Sequence, residues 1–330
     1  MKHTPPTRKG YALSSLALLV FFIAGVMVWK GFGKSQSDQT DDSASRLRNT
    51  GASAGNTGIL GATQAPPRSK TKFRIREKQL PYWVRHPKEI QNLTPEMAKL
   101  LVLNFKGDFL DLSALTTLDA ETAKALAEFK GEFRLSLDGL TTLDTETAKA
   151  LAEYKGGPLV LRGLTTLDAE TAKALAEYEG DSLVLDGLTT LVAETAKALA
   201  EFKGGELDLD GLTTLDTETA KALAELKGNK GLCLDGLTTL NAETAKALAE
   251  FKGRELDLRG LTTLDAETAK ALAEFKGYEL DLDGLTTLDA ETAKALVEFK
   301  GPLMGLPLPE ELDAETAKVL ENYHGSKYYE

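Results

Sequence analysis

The sequence predicts an α/β solenoid in which each 24-residue repeat supplies one short parallel strand and one helix, preceded by one transmembrane helix and a disordered tether. Three observations carry that prediction. A block reading Leu-Thr-Thr-Leu-Asp-Ala-Glu-Thr-Ala-Lys-Ala-Leu-Ala-Glu-Phe-Lys-Gly begins at Leu115 and recurs from Leu140, Leu164, Leu188, Leu212, Leu237, Leu261 and Leu285, in steps of 24 or 25 residues. A Leu-x-Leu pair stands between successive blocks, and an uncharged run of 19 residues, Tyr11 to Trp29, lies near the amino terminus.

Each block reads as a helix with marked ends. Asp119 precedes Ala120-Glu121-Thr122 as an N-cap with an acid in the first turn. Lys130-Gly131 offers a basic last turn and a glycine suited to a left-handed C-terminal residue. A degenerate first copy at Leu93 fixes the register, because Thr94-Pro95-Glu96 places proline at the first helical position, where its missing N–H costs nothing. Ala123, Leu126 and Phe129 fall on the inner side of this helix, and Glu121, Lys124 and Glu128 on the outer. One copy lacks the capping acid, with Val192 in its place. With a last copy at Leu312 there are ten helices, leaving no room for a separate globular domain.

The Leu-x-Leu pairs run from Leu110/Leu112 to Leu280/Leu282, and their period of two is that of a strand with one buried face. Such a strand buries its leucines only by stacking on its neighbours, which makes the array a solenoid. At this point the chain resembles the leucine-rich-repeat superfamily, over roughly residues 93 to 325, through the strand leucines and the following Leu-x-x-Leu. The resemblance implies architecture and names no ligand. The framework departs from the family where an asparagine bonds loop backbone along the array: Leu212 and its equivalents stand there, and the Thr213-Thr214 pair is the substitute expected to serve those groups.

Ahead of the array, residues 1–10 form a basic flank and residues 11–29 are long enough, at about 1.5 Å per residue, to cross a bilayer. An uncleaved anchor is the reading favoured over a cleaved signal peptide or a prepilin-like leader. Lys2, Arg8 and Lys9 favour an inside amino terminus, placing the repeats on the extracytoplasmic side of a cell membrane. Residues 30–72 have too few large apolar side chains to fold and read as a linker. Residues 73–92 form a basic, aromatic leading segment or N-terminal cap. The basic stretch Arg68 to Lys88 has three readings: contact with lipid head groups, docking on the acidic repeats, or a solvated linker. The repeats proper span 93–301, and 302–330 reads as a C-terminal capping repeat.

Composition excludes several functions. One cysteine leaves no disulfide framework or Cys-rich zinc site, and three scattered histidines leave no His-based triad. No phosphate loop, serine-nucleophile motif or metal motif is present, so no cofactor and no catalysis are expected. Residues 1–92 hold 15 basic and 5 acidic side chains (+10); residues 93–330 hold 24 and 45 (−21). That polyanion disfavours nucleic acid and favours a protein partner with a basic surface.

The repeats are nearly identical, so their differences are informative. The outer helix residues stay constant, whereas the strand positions Val160, Val184, Asp208, Cys233, Asp257 and Asp281, and the positions two beyond, Arg162, Asp186, Asp210, Asp235, Arg259 and Asp283, vary among repeats. These twelve are the candidate binding residues on an exposed strand face. Equivalent residues on adjacent strands lie about 4.8 Å apart, so Asp186, Asp210 and Asp235 are expected as a carboxylate row bounded by Arg162 and Arg259. A flat row is a poor calcium cage. Cys233 is expected as an incidental exposed thiol. The function that follows is membrane-tethered recognition or scaffolding through the strand face, with lateral self-association in an envelope as the alternative.

Overall fold

The computed structural model describes residues 80–129, 134–228, 230–307 and 312–321. The expected membrane span and tether, and the Lys130-Gly131 helix end, lie outside them. Among the described residues no helix is long and apolar enough to cross a membrane.

A short helix α1 (Tyr82–Arg85) and a 3-10 turn (Pro87–Glu89) lead into α2 (Pro95–Asn104). Strands and helices then alternate: β1 (Phe109–Asp111), α3 (Ala120–Ala127), β2 (Arg134–Ser136), α4 (Thr145–Ala152), β3 (Leu159–Val160), α5 (Ala169–Ala176), β4 (Ser182–Val184), α6 (Ala193–Leu199), β5 (Glu206–Asp208), α7 (Thr217–Ala224), β6 (Gly231–Cys233), α8 (Ala242–Leu248), β7 (Glu255–Asp257), α9 (Ala266–Leu272), β8 (Glu279–Asp281), α10 (Ala290–Leu296), β9 (Leu303–Met304) and α11 (Ala314–Glu321). The nine strands make one parallel sheet in sequence order, each paired with the next. The register is strict, with Leu135 opposite Leu159, Leu183 opposite Leu207 and Leu256 opposite Leu280. Repeated strand–helix units in one open parallel sheet make the chain a solenoid-like array.

Both leucines of each Leu-x-Leu pair, the leucine that opens the next block and the helix leucine are buried along the array, as Leu207, Leu209, Leu212 and Leu223 show. The alanine at the position of Ala123 is fully buried in every copy from α3 to α10, which lets helix and sheet close on each other. The expected caps form: the Asp119, Asp144 and Asp168 carboxylates accept the backbone N–H three residues on, and Asn241 does the same through its amide oxygen. Those N–H bonds hold the three Asp carboxyls below the usual carboxylate range.

A ninth strand appears in a segment that lacks the second leucine of the pair. Leu303 is buried opposite Leu280, and Gly305, at φ +71, ends the strand where that leucine would stand.

Two rows of glycine are set by close contact, one with the preceding coil and the other with a ring of its own repeat. A Cβ on Gly211 would lie 1.9 Å from the Asp186 carbonyl oxygen, and Gly139, Gly163, Gly187, Gly236, Gly260 and Gly284 face the preceding coil equally closely. The equivalent of this row in the first full repeat is Ala114, where no regular coil precedes. The second row corrects the expectation of left-handed helix ends. Gly156, Gly204 and Gly253 do not have positive φ; each lies under the ring of the aromatic two residues earlier, with Gly204 Cβ space only 2.3 Å from the Phe202 ring. Those rings stack along the array, Tyr154 on Tyr178 at 6.1 Å, Tyr178 on Phe202 at 6.4 Å, Phe251 on Phe275 at 6.1 Å and Phe275 on Phe299 at 5.9 Å. Leu226 interrupts the stack, and there Gly228 does adopt φ +95. The repeat has one extra residue, and Lys230 fills the gap: its ammonium lies 5.3 Å from the centre of the Phe202 ring and donates to the Gly204 carbonyl. Burial holds that amine below the usual lysine range.

Backbone groups between coils are not served mainly by Thr213-Thr214, which are exposed. The buried threonine at the third helical position serves them: Thr195 Oγ1 donates to the Leu167 carbonyl, Thr219 to Leu191 and Thr268 to Leu240. Among the described residues the one such contact from a Thr-Thr pair joins Thr286 to the Thr262 carbonyl.

Two predictions follow from this stacking. Gly211→Ala forces a methyl group into the Asp186 carbonyl and is expected to destabilise by about 1–3 kcal/mol or more, read as a lowered midpoint in urea; an unchanged midpoint would contradict the close approach. At the uncapped helix, Val192 is 63% exposed and offers no acceptor to Thr195. Val192→Asp is therefore expected to stabilise by about 0.5–2 kcal/mol, and a lower melting temperature would show the helix start to be misplaced.

Candidate functional site

Side chains alternate along each strand, so while the leucines enter the core, the residues before, between and after them form three rows on the opposite face. The middle row runs Asp111, Ser136, Val160, Val184, Asp208, Cys233, Asp257, Asp281 and Met304, each opposite the next. The third row contains Arg162, Asp186, Asp210, Asp235, Arg259 and Asp283. The first row contains Ser182, Glu206, Gly231, Glu255 and Glu279 in register.

Exposure across these rows differs from expectation. Arg162, Arg259 and Asp283 are exposed, and Asp186, Asp208, Asp210, Cys233, Asp235 and Asp281 are half-buried. Val160, Val184 and Asp257 are buried, at 0%, 2% and 3% exposure. The cause is the ladder itself: a middle-row side chain has an equivalent on each adjacent strand about 4.8 Å away and longer side chains in the flanking rows. Val160 and Val184 thus form a packed apolar patch beside the acidic one. Sequence reasoning missed Glu206, Glu255 and Glu279. Carrying the strand period one residue back from the first leucine finds all three.

The arginines fold onto the carboxylates instead of merely bounding them. Arg162 Nε lies 2.7 Å from Asp186 Oδ2; Arg259 reaches Asp257 at 2.6 Å and Asp235 at 2.8 Å. No arginine pairs with Asp208 or Asp210 among the described residues. Asp210 instead accepts the backbone N–H of Asp235 at 2.9 Å. Carboxylate oxygens of Asp186, Asp208 and Asp210 lie within 4.8 Å of one another, as do those of Glu255, Asp257 and Asp281.

Crowding at that separation in a partly dry setting makes full ionisation costly. Burial, then the adjoining Asp186 carboxyl and the Asp210 charge, push the Asp208 carboxyl up to about 9. Burial and the Asp257 carboxyl push Asp235 up to about 7. Burial also raises Asp210, Glu255 and Asp281. Asp186 Oδ1 is buried without a hydrogen-bond partner among the described residues, and the Asp208 carboxyl, raised by burial, would be a donor beside it when protonated. At neutral pH the face therefore retains protons. A cation approaching it would have to displace protons, and its two carboxylate groups are already partly satisfied by Arg162 and Arg259.

Cys233 sits between Asp208 and Asp257. Burial first, and then Glu206 and the neighbouring aspartates, raise its thiol far above the usual range, so the thiolate needed for disulfide exchange is suppressed.

The sequence matches no protein-family model and no curated protein.

The protonation of Asp208 has a signed consequence. A carboxyl whose pKa rises on folding contributes its stability below the unfolded value, and loses it as pH rises toward the folded one. Asp208→Asn imitates the protonated form at every pH. Its unfolding free energy in urea should equal the parent's near pH 4 and exceed it increasingly up to pH 9, by on the order of 1–3 kcal/mol. A difference independent of pH would mean that Asp208 is ionised throughout.

Proposed function

We propose that this chain is a membrane-tethered, non-catalytic recognition or scaffold protein of leucine-rich-repeat type, which binds a protein partner with a basic surface through its strand face. The anchor is the uncharged run at residues 11–29, with the repeats on the extracytoplasmic side. One observation carries the reading: repeats otherwise near-identical differ on the strand face, and there the array accumulates carboxylates that its own arginines leave partly uncompensated. The constant residues of the outer face have a structural use, because Glu177 pairs with Lys203, Glu201 with Lys227 and Glu250 with Lys276 across adjacent coils. Such exposed pairs add little stability, but they make the constancy of that face intelligible without a ligand.

Asp208, Asp210, Asp235 and Asp281 accept cationic side chains, and the buried Val160/Val184 pair beside them stiffens the sheet on which they stand. Arg162 and Arg259 penalise a partner whose own anions fall at those positions, which supplies discrimination.

The test uses neutralisation that preserves shape, since Asp210 also accepts a backbone N–H. The triple variant Asp208→Asn, Asp210→Asn, Asp235→Asn is compared with Glu128→Gln, Glu153→Gln, Glu225→Gln on the helix face, using a fluorescent oligolysine probe at low and moderate salt. The strand variant should lose affinity about tenfold or more and the helix variant about twofold or less. Equal losses would reduce the interaction to net charge.

A further inference from the structure

The chain contains a complement to this face. From Arg68 to Lys78 every second residue is basic: Arg68, Lys70, Lys72, Arg74, Arg76 and Lys78 alternate with Ser69, Thr71, Phe73, Ile75 and Glu77. In an extended chain a period of two places all six cations along one edge, about 6.6 Å apart. The pattern is that of a charged ribbon. The described structure begins at Leu80, just ahead of α1, and the 3-10 turn that follows α1 packs against β1.

Length agrees with charge. Seven in-register steps separate β1 from β8, about 34 Å at 4.8 Å per step. Twelve residues separate Leu80 from Arg68, with a reach of about 40 Å when extended. A ribbon leaving Leu80 and crossing the strands therefore brings Arg68, Lys70 and Lys72 over β5 to β8. There the first, middle and third rows hold Glu206, Asp208, Asp210, Asp235, Glu255 and Asp281, with Arg259 as the opposing cation. The sum over 68–78 is six basic less one acidic, +5, opposite in sign and similar in scale to the carboxylates that Arg162 and Arg259 leave over.

We propose that residues 68–78 are the resident occupant of the acidic strand face, lying across β2 to β8 and competing there with the external basic partner. This rests on the strand face being a cation-accepting docking surface, as read above. Being part of the same chain, the segment has a local concentration at the face that a separate protein must exceed. The segment thus sets a threshold for partner binding.

Zero-length carbodiimide coupling tests the contact without any partner, and so independently of whether an external partner exists. The full chain in non-ionic detergent is coupled at low salt and digested, and amide links are located by mass spectrometry. Links from Lys70 or Lys72 to Asp208, Asp210, Asp235, Glu255 or Asp281 are expected, outnumbering links to the helix glutamates by about fivefold or more, since a contact of opposite charges falls off within about a Debye length. An even distribution over strand and helix faces, or no link while both lysines remain reactive to an amine acylating reagent, would overturn the proposal. A second measurement replaces the six basic residues by serine. Affinity for the oligolysine probe should rise about fivefold on removal of the competitor, and an unchanged affinity would equally overturn it. If the segment couples to no carboxylate in detergent yet carries the chain onto phosphatidylserine vesicles, its partner is the lipid surface and the intramolecular contact is wrong.

Discussion

Successive coils approach so closely that no side chain fits between them at two points per repeat, and the rest of the architecture depends on that approach. Where Gly211 meets the Asp186 carbonyl, and Gly204 the Gly180 carbonyl, a single methyl group would hold the coils apart. The close spacing lets three-residue strands pair, although strands of that length have no stability alone. It also brings the Thr219 hydroxyl to the Leu191 carbonyl and stacks the aromatic rings. Glycine here works by lacking a Cβ, with little call on its conformational freedom.

The same spacing creates the electrostatic character of the outer face. Side chains repeated at each strand cannot spread apart, so an aspartate in successive repeats becomes a ladder of carboxyls that share protons and recruit arginines. A solenoid thus turns a single-position substitution into a surface property. The helix face, whose glutamates and lysines alternate within and between coils, does not build such a field: Lys149 and Lys221 meet Glu146 and Glu218 in their own helices.

Much of the fold was legible in the sequence because its signals are local and repeated: Asp119 before a helix, Leu-x-Leu for a strand, Thr94-Pro95 for a helix start. What was not legible depended on neighbouring coils. Glycine after Lys reads locally as a left-handed cap, yet the ring of Tyr154 or Phe251 explains it better, and that ring's position emerges only after stacking. The buried role of Thr219 was hidden because threonine near a helix start already has a local explanation in the Asp216 cap. At the candidate site the row of Asp186, Asp210 and Asp235 could be read from register alone. The burial of Val160 and Asp257 could not, since it depends on the side chains of three rows together.

The interruption of the ring stack at Leu226 bears on how the array comes apart. In a quasi-one-dimensional assembly each coil is held by its own folding energy and by coupling to two neighbours. Along most of the chain that coupling includes one aromatic face on another. At the sixth strand it is replaced by an ammonium over Phe202, held in a setting that disfavours its charge. Such a joint is a fault line in the ring stack alone: coils up to Phe202 and coils from Phe251 onward carry two separate stacks, while strand pairing and the buried leucines Leu232, Leu234 and Leu237 run through the joint unbroken. Cys233 and the strongest carboxyl crowding lie at this joint, so the region most demanding electrostatically is also the one whose coils are joined by leucines and strand pairing without the help of stacked rings.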